Sequence, residues 1–423
     1  ACTACTGLGT KLEVDPKLAV EQANEILNAV PNYPPAQLLL ISAQRKSGNY
    51  LLALDLIERL LPEQSRWAAA HFEYALLLAV LGRGNDAIAA LRTTVALKSQ
   101  HPEAWRLLAD HLMAIGESDG GDEAYARHIR SSVSDPQLQQ AASAMIDNDI
   151  PKAERLLKAQ LKKTPTDVPA IRMLAEVAVR CGNNDDAEKL LVRCLALAPS
   201  FTAARYNYAT LLHRLNKSSQ ALVEIERLLL ESPSNPSYRN LTAVILSRVG
   251  DYGRSSLIYS QLLEEYPSNA KIWLSYGHVL KTEGRQEDCI AAYRQSIQHN
   301  PSFGEAYWSL ANLKTFRFSM EDMSAMKLQI RGSEITQNDR VQFEFALGKA
   351  AEDAHDYALS FQHYNQGNSL YRESTRYDAD GNSARTERLK RKFTAQFLKD
   401  RIGSGHDTAA PIFIVGMPRS GST

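Results

Sequence analysis

A period of 34 residues constrains this chain more than any other feature of its sequence. One phase of the period holds five prolines: Pro165, Pro199, Pro233, Pro267 and Pro301. A second phase holds small residues: Ala153, Ala187, Ala221, Ser255 and Cys289. A third phase also holds small residues: Ala175, Ala209, Ala243, Gly277 and Ala311. Such a period is typical of stacked two-helix units and not of a domain with one central core.

The residues between these positions predict two helices in each period. Apolar residues recur at helical spacing, as at Ile171 and Leu174. Gly182, Gly250 and Gly284 fall where the first helix must end, because glycine accepts a left-handed backbone. The prolines follow the second helix and prevent its continuation. The sequence therefore predicts an all-α solenoid.

The pattern resembles the tetratricopeptide repeat, which implies a right-handed solenoid. The resemblance is clear in W-L-S-Y-G-H-V-L, Trp273–Leu280, followed by Gly284, Cys289 and Tyr293. The register predicts full repeats that begin near residues 34, 68, 102, 134, 168, 202, 236 and 270, and another near 304. Residues 14–31 resemble the second helix of a cut repeat. In the repeat at 102, G-E-S-D-G-G-D-E predicts a longer loop between the two helices.

The sequence predicts five segments. They are a partial repeat or cap at 1–33, the solenoid at 34–314, divergent helical repeats at 315–401, a linker at 402–410 and the start of an α/β domain at 411–423. Within the divergent segment we expect a repeat-like unit over Phe345–Phe361 and a charged helix over Ala384–Lys399.

Composition excludes several classes of partner and site. Lys+Arg and Asp+Glu are 48 each, so no global basic field indicates nucleic acid. No apolar segment is long enough to span a membrane. Five cysteines do not form a disulfide framework, which favours a reducing compartment such as the cytoplasm. Cys2 and Cys5 form C-x-x-C without a second ligand pair, so no metal is predicted.

The first helices are expected to line a concave surface that binds a protein or peptide. The candidate binding residues are Arg172, Arg180, Tyr206, His213, Arg214, Asn240, Arg248 and Lys281. A basic, hydrogen-bonding lining suits an extended acidic peptide. A structural alternative stays open, because arginines near helix ends favour the negative end of the helix dipole. Arg180 has possible partners in Asp185 and Asp186.

The last residues, Pro411–Thr423, predict a strand followed by an anion-binding loop. Ile412–Val415 is a short apolar run with β-branched residues, which is typical of a buried parallel strand. The Gly-rich turn that follows can direct backbone N–H groups at a phosphate. Gly416 and Gly421 have Walker spacing, but Ser422 stands where that motif requires lysine. An ATP or GTP hydrolase is therefore disfavoured.

P-R-S-G-S-T at 418–423 resembles the 5′-phosphosulfate-binding loop of sulfotransferases, and its context resembles bacterial sulfotransferases with N-terminal tetratricopeptide repeats. The resemblance implies 3′-phosphoadenosine-5′-phosphosulfate as co-substrate. The residues that would hold its 5′-phosphate are Arg419, Ser420, Gly421, Ser422 and Thr423. Arg419 would also be catalytic, because it would stabilise the charge that develops on the leaving phosphate.

The function expected from this resemblance is that of an N-terminal repeat region of a sulfotransferase acting on an acceptor hydroxyl. The repeats would recruit or orient the acceptor or a protein partner. We expect the 423-residue chain alone to be inactive, because the general base and the 3′-phosphate site are expected downstream. The alternative is a non-enzymatic scaffold that binds a peptide or protein in its groove.

Overall fold

The computed structural model describes residues 15–132, 135–313, 315–332, 335–375, 377–404 and 408. Every regular element within these ranges is a helix. The chain divides into two compact units between Ile335 and Thr336. The segment predicted to diverge from residue 315 onwards is therefore shared between the two units.

The first unit is a series of helices in which neighbours along the chain pack against each other. Its helices are α1 (Pro16–Ala29), α2 (Pro34–Lys46), α3 (Tyr50–Glu63), α4 (Ala68–Val80), α5 (Gly84–Leu97), α6 (Pro102–Ile115), α7 (Ser118–Ser131), α8 (Pro136–Ile146), α9 (Ile150–Lys163), α10 (Val168–Arg180), α11 (Asn184–Leu197), α12 (Thr202–Arg214), α13 (Ser218–Glu231), α14 (Pro236–Val249), α15 (Tyr252–Glu265), α16 (Ala270–Thr282), α17 (Gln286–His299), α18 (Gly304–Ala311) and α19 (Met320–Arg331). Short turns within each pair make its two helices antiparallel neighbours.

The repeat register predicts the starts of the first helices to within two residues. Helices α2, α4, α6, α10, α12, α14, α16 and α18 begin at the predicted residues, and α8 begins at Pro136, two residues after the predicted 134. The small residues of the second phase, from Ala153 to Cys289, are fully buried. Small side chains at these positions let the two helices of a pair approach closely, as the period predicts.

The turn inside each pair depends on a left-handed backbone. Gly182, Gly250 and Gly284 have φ values of 77°, 90° and 79°. Asn216 stands 34 residues after Gly182 and adopts a φ of 60°. Asparagine tolerates this conformation better than most residues with a side chain, so the turn survives without glycine.

The longer loop predicted after Ile115 is absent. Gly116 ends α6 with a φ of 91°, and α7 begins two residues later at Ser118. Gly120 and Gly121 therefore lie inside a helix. A Cβ on Gly121 would lie 2.9 Å from the side chain of Met113, so the missing side chain lets α7 pack tightly on α6. The glycines that suggested a loop instead allow this close approach.

The second unit begins with a helix pair that covers the predicted unit at 345–361. Its helices are α20 (Gln337–Asp353), α21 (Tyr357–Ser374), α22 (Ala379–Lys392) and α23 (Ala395–Lys399). The single charged helix predicted over Ala384–Lys399 is wrong, because Phe393 leaves the helical conformation and Thr394 caps a new helix. The Thr394 hydroxyl accepts a hydrogen bond from the backbone N–H of Phe397 at 3.1 Å.

Candidate functional site: a closed chamber in the first unit

The first unit closes on itself, because α6 contacts α14 although α7–α13 lie between them in the chain. Arg106 on α6 donates from Nη1 to the Tyr238 hydroxyl at 2.8 Å, across 132 positions of sequence. Asn235, the N-cap of α14, donates to Oδ2 of Asp110 at 2.7 Å. Asp110 is 3% exposed and also accepts the hydroxyl of Tyr125. A buried polar network therefore joins distant repeats.

The closure continues at the C-terminal end of α6. Nδ2 of Asn269 donates to the carbonyl oxygens of Met113 at 3.0 Å and Ala114 at 2.8 Å. Its Oδ1 accepts the backbone N–H groups of Lys271 and Ile272 at the start of α16. The last carbonyls of a helix have no partner within it. One asparagine side chain therefore ends α6 and begins α16.

A histidine and a tyrosine complete this contact between α6 and the α14–α16 segment, which we call the seam. The ring nitrogen Nδ1 of His111 lies 2.8 Å from the Tyr266 hydroxyl. Burial lowers the pKa of His111 to about 4. Gly84, the first residue of α5, packs against the same tyrosine so closely that a Cβ would overlap its ring. His111 is therefore neutral at neutral pH within a tightly packed contact.

The closed part of the unit surrounds a chamber of about 800 Å³. Positions four residues apart on the first helices line it, since such positions share one helix face. On α10 and α12 these positions are Arg172, Glu176, Arg180, Tyr206, Thr210 and Arg214. Arg106 and Asp110 of α6 and Tyr238 of α14 also line the chamber, so the seam forms part of its wall.

The chamber lining carries charges of both signs. It includes the four guanidinium groups of Arg106, Arg172, Arg180 and Arg214 and the three carboxylates of Asp110, Asp122 and Glu176. Burial lowers the pKa of His128, which also lines the chamber, to about 4, so this histidine is neutral at neutral pH. Four positive charges and three negative charges leave one net positive charge on the lining.

Arg172 is buried although its hydrogen bonding is incomplete. It is 6% exposed, and its Nε is buried without a hydrogen-bond partner among the described residues. Its Nη1 lies 3.7 Å from Oε2 of Glu176, beyond hydrogen-bond distance. Arg180 binds the other oxygen of this carboxylate at 2.7 Å. The ring of Phe201 lies 5.9 Å from the Arg172 guanidinium carbon.

Family comparisons agree with the repeat register. Models described as tetratricopeptide repeat match residues 72–136, 182–245 and 270–303. The chain contains tetratricopeptide repeats. The matched tetratricopeptide segments include α6, α12 and most of α14, which contribute to the chamber wall.

Individual relatives are distant. An uncharacterized protein of Aquifex aeolicus (strain VF5) is 27% identical over 146 residues, which are 34% of this chain and 19% of that protein. A tetratricopeptide repeat protein from Parabacteroides merdae ATCC 43184 is 18% identical, with a TM-score of 0.44, over 58% of this chain and 93% of that one. YrrB, described as a TPR protein with an unusual peptide-binding site, is 13% identical, with a TM-score of 0.35, over 52% and 97% respectively.

Five of the eight candidate groove residues line the chamber of the tetratricopeptide unit. They are Arg172, Arg180, Tyr206, Arg214 and Asn240. Arg180 does not pair with Asp185 or Asp186, because its guanidinium donates to Glu176 and to the carbonyl of Met145. Arg214 forms no hydrogen bond or ion pair with the described residues, but it is the last residue of α12, so the helix-dipole alternative stays open for it. Ligand binding by the five residues stays a prediction.

The other three candidates lie outside the chamber lining. Arg248 donates to Oδ1 of Asn216 at 2.6 Å, on the preceding repeat. Lys281 is exposed near the C-terminal end of α16. Nδ1 of His213 is buried without a hydrogen-bond partner among the described residues, and burial lowers the pKa of this histidine. The repeat period alone therefore predicted three binding residues that do not line the chamber.

Sequence analysis did not identify the residues of the seam. Arg106 stands four positions after the start of α6, as Arg172 stands four after the start of α10, so the repeat register could have found it. Asn235 and Asn269 stand 34 positions apart at two helix starts. Their contacts with α6 depend on how tightly the repeats curve, which the period does not specify.

The sulfotransferase prediction concerns a different part of the chain. Arg419, Ser420, Gly421, Ser422 and Thr423 lie outside the described residues, as does the predicted strand before them. Within the described ranges, no cluster of His, Cys, Asp and Glu could hold a metal ion. None of the described helices is long and apolar enough to cross a membrane.

Proposed function

We propose that the first unit binds a short segment of a protein partner inside the chamber. Tetratricopeptide repeats commonly bind peptides or proteins, and this chamber combines polar groups with an apolar wall. Asn207 and Asn240 line the chamber, and their side-chain amides form no hydrogen bonds with the described residues. Such amides suit a peptide backbone, which offers both N–H donors and carbonyl acceptors.

The size of the chamber decides what kind of segment fits. A volume of about 800 Å³ lies within the range of roughly 300–1,000 Å³ that holds compact ligands. A long open groove would suit the extended peptide expected from the repeat pattern. The seam shortens that groove, so we propose a segment of a few residues.

The test compares two tryptophan substitutions in the full chain. Asn207→Trp places a large ring in the chamber, whereas Lys281→Trp places the same ring on an exposed face outside it. Binding of an acetylated, amidated heptapeptide library should be lost in the first variant and kept in the second. Unchanged binding by Asn207→Trp, with its helix content intact, would contradict binding in the chamber.

A second candidate function is supported by the sequence of Pro411–Thr423. We propose that these residues belong to a sulfotransferase that uses 3′-phosphoadenosine-5′-phosphosulfate, with the chamber recruiting the acceptor or a partner. The support is the resemblance of P-R-S-G-S-T to a 5′-phosphosulfate-binding loop. Arg419 and the four residues after it would hold the 5′-phosphate through guanidinium, backbone and hydroxyl donors.

Donor binding tests this candidate separately from the chamber. We expect labelled donor to bind this chain or a longer natural form of it, and Arg419→Ala to weaken that binding at least tenfold. Asn207→Trp should leave donor binding unchanged. If neither form binds the donor or transfers a sulfuryl group to an acceptor mixture, the sulfotransferase proposal fails and chamber binding is unaffected.

A further inference from the structure

Helix α1 has one side without a helical neighbour among the described residues. The second helix of every pair from α3 to α17 packs against the helix before it and the helix after it, whereas α1 packs against α2 alone. The buried residues of α1 are Ala19 and Ala23. Leu18, Glu21 and Glu25 share the opposite, exposed side, because an α-helix has about 3.6 residues per turn.

The exposed side of α1 is acidic and carries one large apolar residue. Leu18 is 49% exposed. Glu21 and Glu25 form no hydrogen bond or ion pair with the described residues. With its N-cap Asp15 and with Lys17, the helix carries two net negative charges. This side of α1 is therefore suited to a surface that is basic and has its own apolar residue.

Helix α22 of the second unit presents such a surface. None of its residues is buried. Arg385, Arg388 and Lys392 share one helix face, since residues three and four positions apart are neighbours on a helix. Leu389 lies beside them and is 47% exposed. The three cationic side chains form no ion pair with the described residues.

The helix dipole accounts for only part of the charge on α22. Lys390, Arg391 and Lys392 stand in its last turn, where cations are favoured. Arg385 and Arg388 stand before that turn and gain little from the dipole. Five cationic and two anionic side chains leave three net positive charges on the helix. The two faces are thus opposite in charge, and each contains one exposed leucine.

We propose that the exposed face of α1 in one copy of this chain packs against the basic face of α22 in a second copy. Like charges would oppose the pairing of two α1 faces or of two α22 faces. The contact is therefore heterologous, and each copy keeps one free face that can bind a further copy. This association does not involve the chamber and is independent of the function proposed for it.

A second copy explains both faces at once, which other partners do not. An anionic membrane surface or a nucleic acid would cover the cations of α22 but would leave the acidic side of α1 without a partner. A single pair of helices buries less area than a stable interface needs, so the contact should be weak. Exposed ion pairs are screened by salt, so association should also weaken as the salt concentration rises.

Sedimentation equilibrium of the full chain measures this association. We expect the average mass to exceed that of one chain at about 200 µM protein in low salt. Raising the salt concentration to about 0.5 M should lower the association constant at least fivefold. Asn207→Trp should leave the association unchanged, because that substitution lies in the chamber.

Two charge-reversal variants test which faces meet. The α1 variant combines Glu21→Lys with Glu25→Lys, and the α22 variant combines Arg388→Glu with Lys392→Glu. Each variant alone should associate at least tenfold more weakly, because its own two faces then carry charges of the same sign. A mixture of the two variants should associate again, since the reversed face of each meets the reversed face of the other.

A matched control reverses two charges elsewhere. Arg155 and Lys162 are exposed on α9 and form no ion pair with the described residues. Arg155→Glu combined with Lys162→Glu should therefore leave the association unchanged. Thermal melting shows whether each variant is folded.

The possible results separate the alternatives. A chain that sediments as a monomer at every concentration overturns the inference. A mixture of folded variants that does not associate overturns it as well, because the two faces then do not meet. If the chain stays monomeric but binds anionic lipid vesicles or duplex DNA, and the α22 variant does not, α22 serves that partner instead. Loss of association in the α9 control would likewise contradict a contact through α1 and α22.

Discussion

The seam and the junctions between consecutive repeats hold the first unit together in different ways. A junction such as that of α8, α9 and α10 packs Ala141, Leu157, Ala170 and Met173 into an apolar cluster. The seam relies instead on hydrogen bonds, of which the contact between Asn235 and Asp110 is one. Junctions recur every 34 residues, whereas the seam occurs where distant repeats meet.

The seam and the junctions should respond differently to substitution of a side chain. Apolar contacts are non-directional and roughly proportional to buried area, so a junction loses stability in proportion to the atoms removed. A buried polar network stabilises the fold only while its members are paired. Substitutions in the seam and in a junction can therefore lower the free energy of unfolding by similar amounts, but they should increase hydrogen exchange in different helices. The predictions below test this contrast, from the largest expected effect to the smallest.

Asp110→Ala should have the largest effect, because it leaves Asn235 and Tyr125 without their acceptor and removes the carboxylate that lies 3.5 Å from the Arg106 guanidinium. We expect the free energy of unfolding, measured in urea, to fall by about 4 kcal/mol. Hydrogen exchange should rise in α6 and α14 and stay unchanged in α9. Asp122→Ala is the matched control, because Asp122 lines the chamber but is exposed, and it should cost less than about 0.5 kcal/mol. Equal losses in the two variants would argue against a closed seam.

Leu157→Ala tests the junction. Leu157 is fully buried, so its truncation leaves a cavity and should lower the free energy of unfolding by about 3 kcal/mol. Here hydrogen exchange should rise in α8–α10 and stay low at the seam. Leu230→Ala is the control, since Leu230 is 86% exposed on α13 and its loss should be close to neutral. Hydrogen exchange that rises more in α6 and α14 than in α8–α10 would contradict the proposed difference between the seam and the junctions.

Acid should weaken the seam before the junctions. His111 takes a proton near pH 6.5 when unfolded but only near pH 4 when folded, so the unfolded state binds more protons between these values. Stability therefore falls as the pH is lowered through this window, by about 2 kcal/mol at pH 5 from His111 alone. Urea unfolding at pH 7.5 and pH 5 measures the loss.

Histidine variants assign the acid effect. His111→Gln should reduce the difference between the two pH values, and the exposed His299→Gln should leave it unchanged. An unchanged difference in both variants would mean that the acid sensitivity arises outside the seam.

Gly84→Ala should have the smallest effect. Its added Cβ overlaps the Tyr266 ring, and overpacking of this kind should lower the free energy of unfolding by about 1 kcal/mol. Gly253→Ala is the matched control, because no heavy atom lies within 4 Å of the position that its added Cβ would take and no left-handed φ is required. Thermal melting that moves equally in the two variants would show that Tyr266 does not pack on α5.

The sequence predicted the junctions better than the seam for a physical reason. A repeat period records local helix packing, and small residues such as Ala187 and turn glycines such as Gly250 occupy their expected places. Closure depends on the small rotation between successive repeats, added over the helix pairs from α6 to α14. No single residue specifies that sum, so the contact of Arg106 with Tyr238 could not be predicted. The helical glycine at 121 was also misinterpreted, because its partner Met113 lies on another helix.

A double-mutant cycle between Arg106 and Tyr238 tests closure of the first unit most directly. Arg106→Met, Tyr238→Phe and the double variant are compared with the unchanged chain by urea unfolding. The 2.8 Å hydrogen bond between residues 132 positions apart predicts a coupling free energy of about 1 kcal/mol or more. Additivity within about 0.3 kcal/mol would contradict a closed chamber, because the two side chains would then not meet.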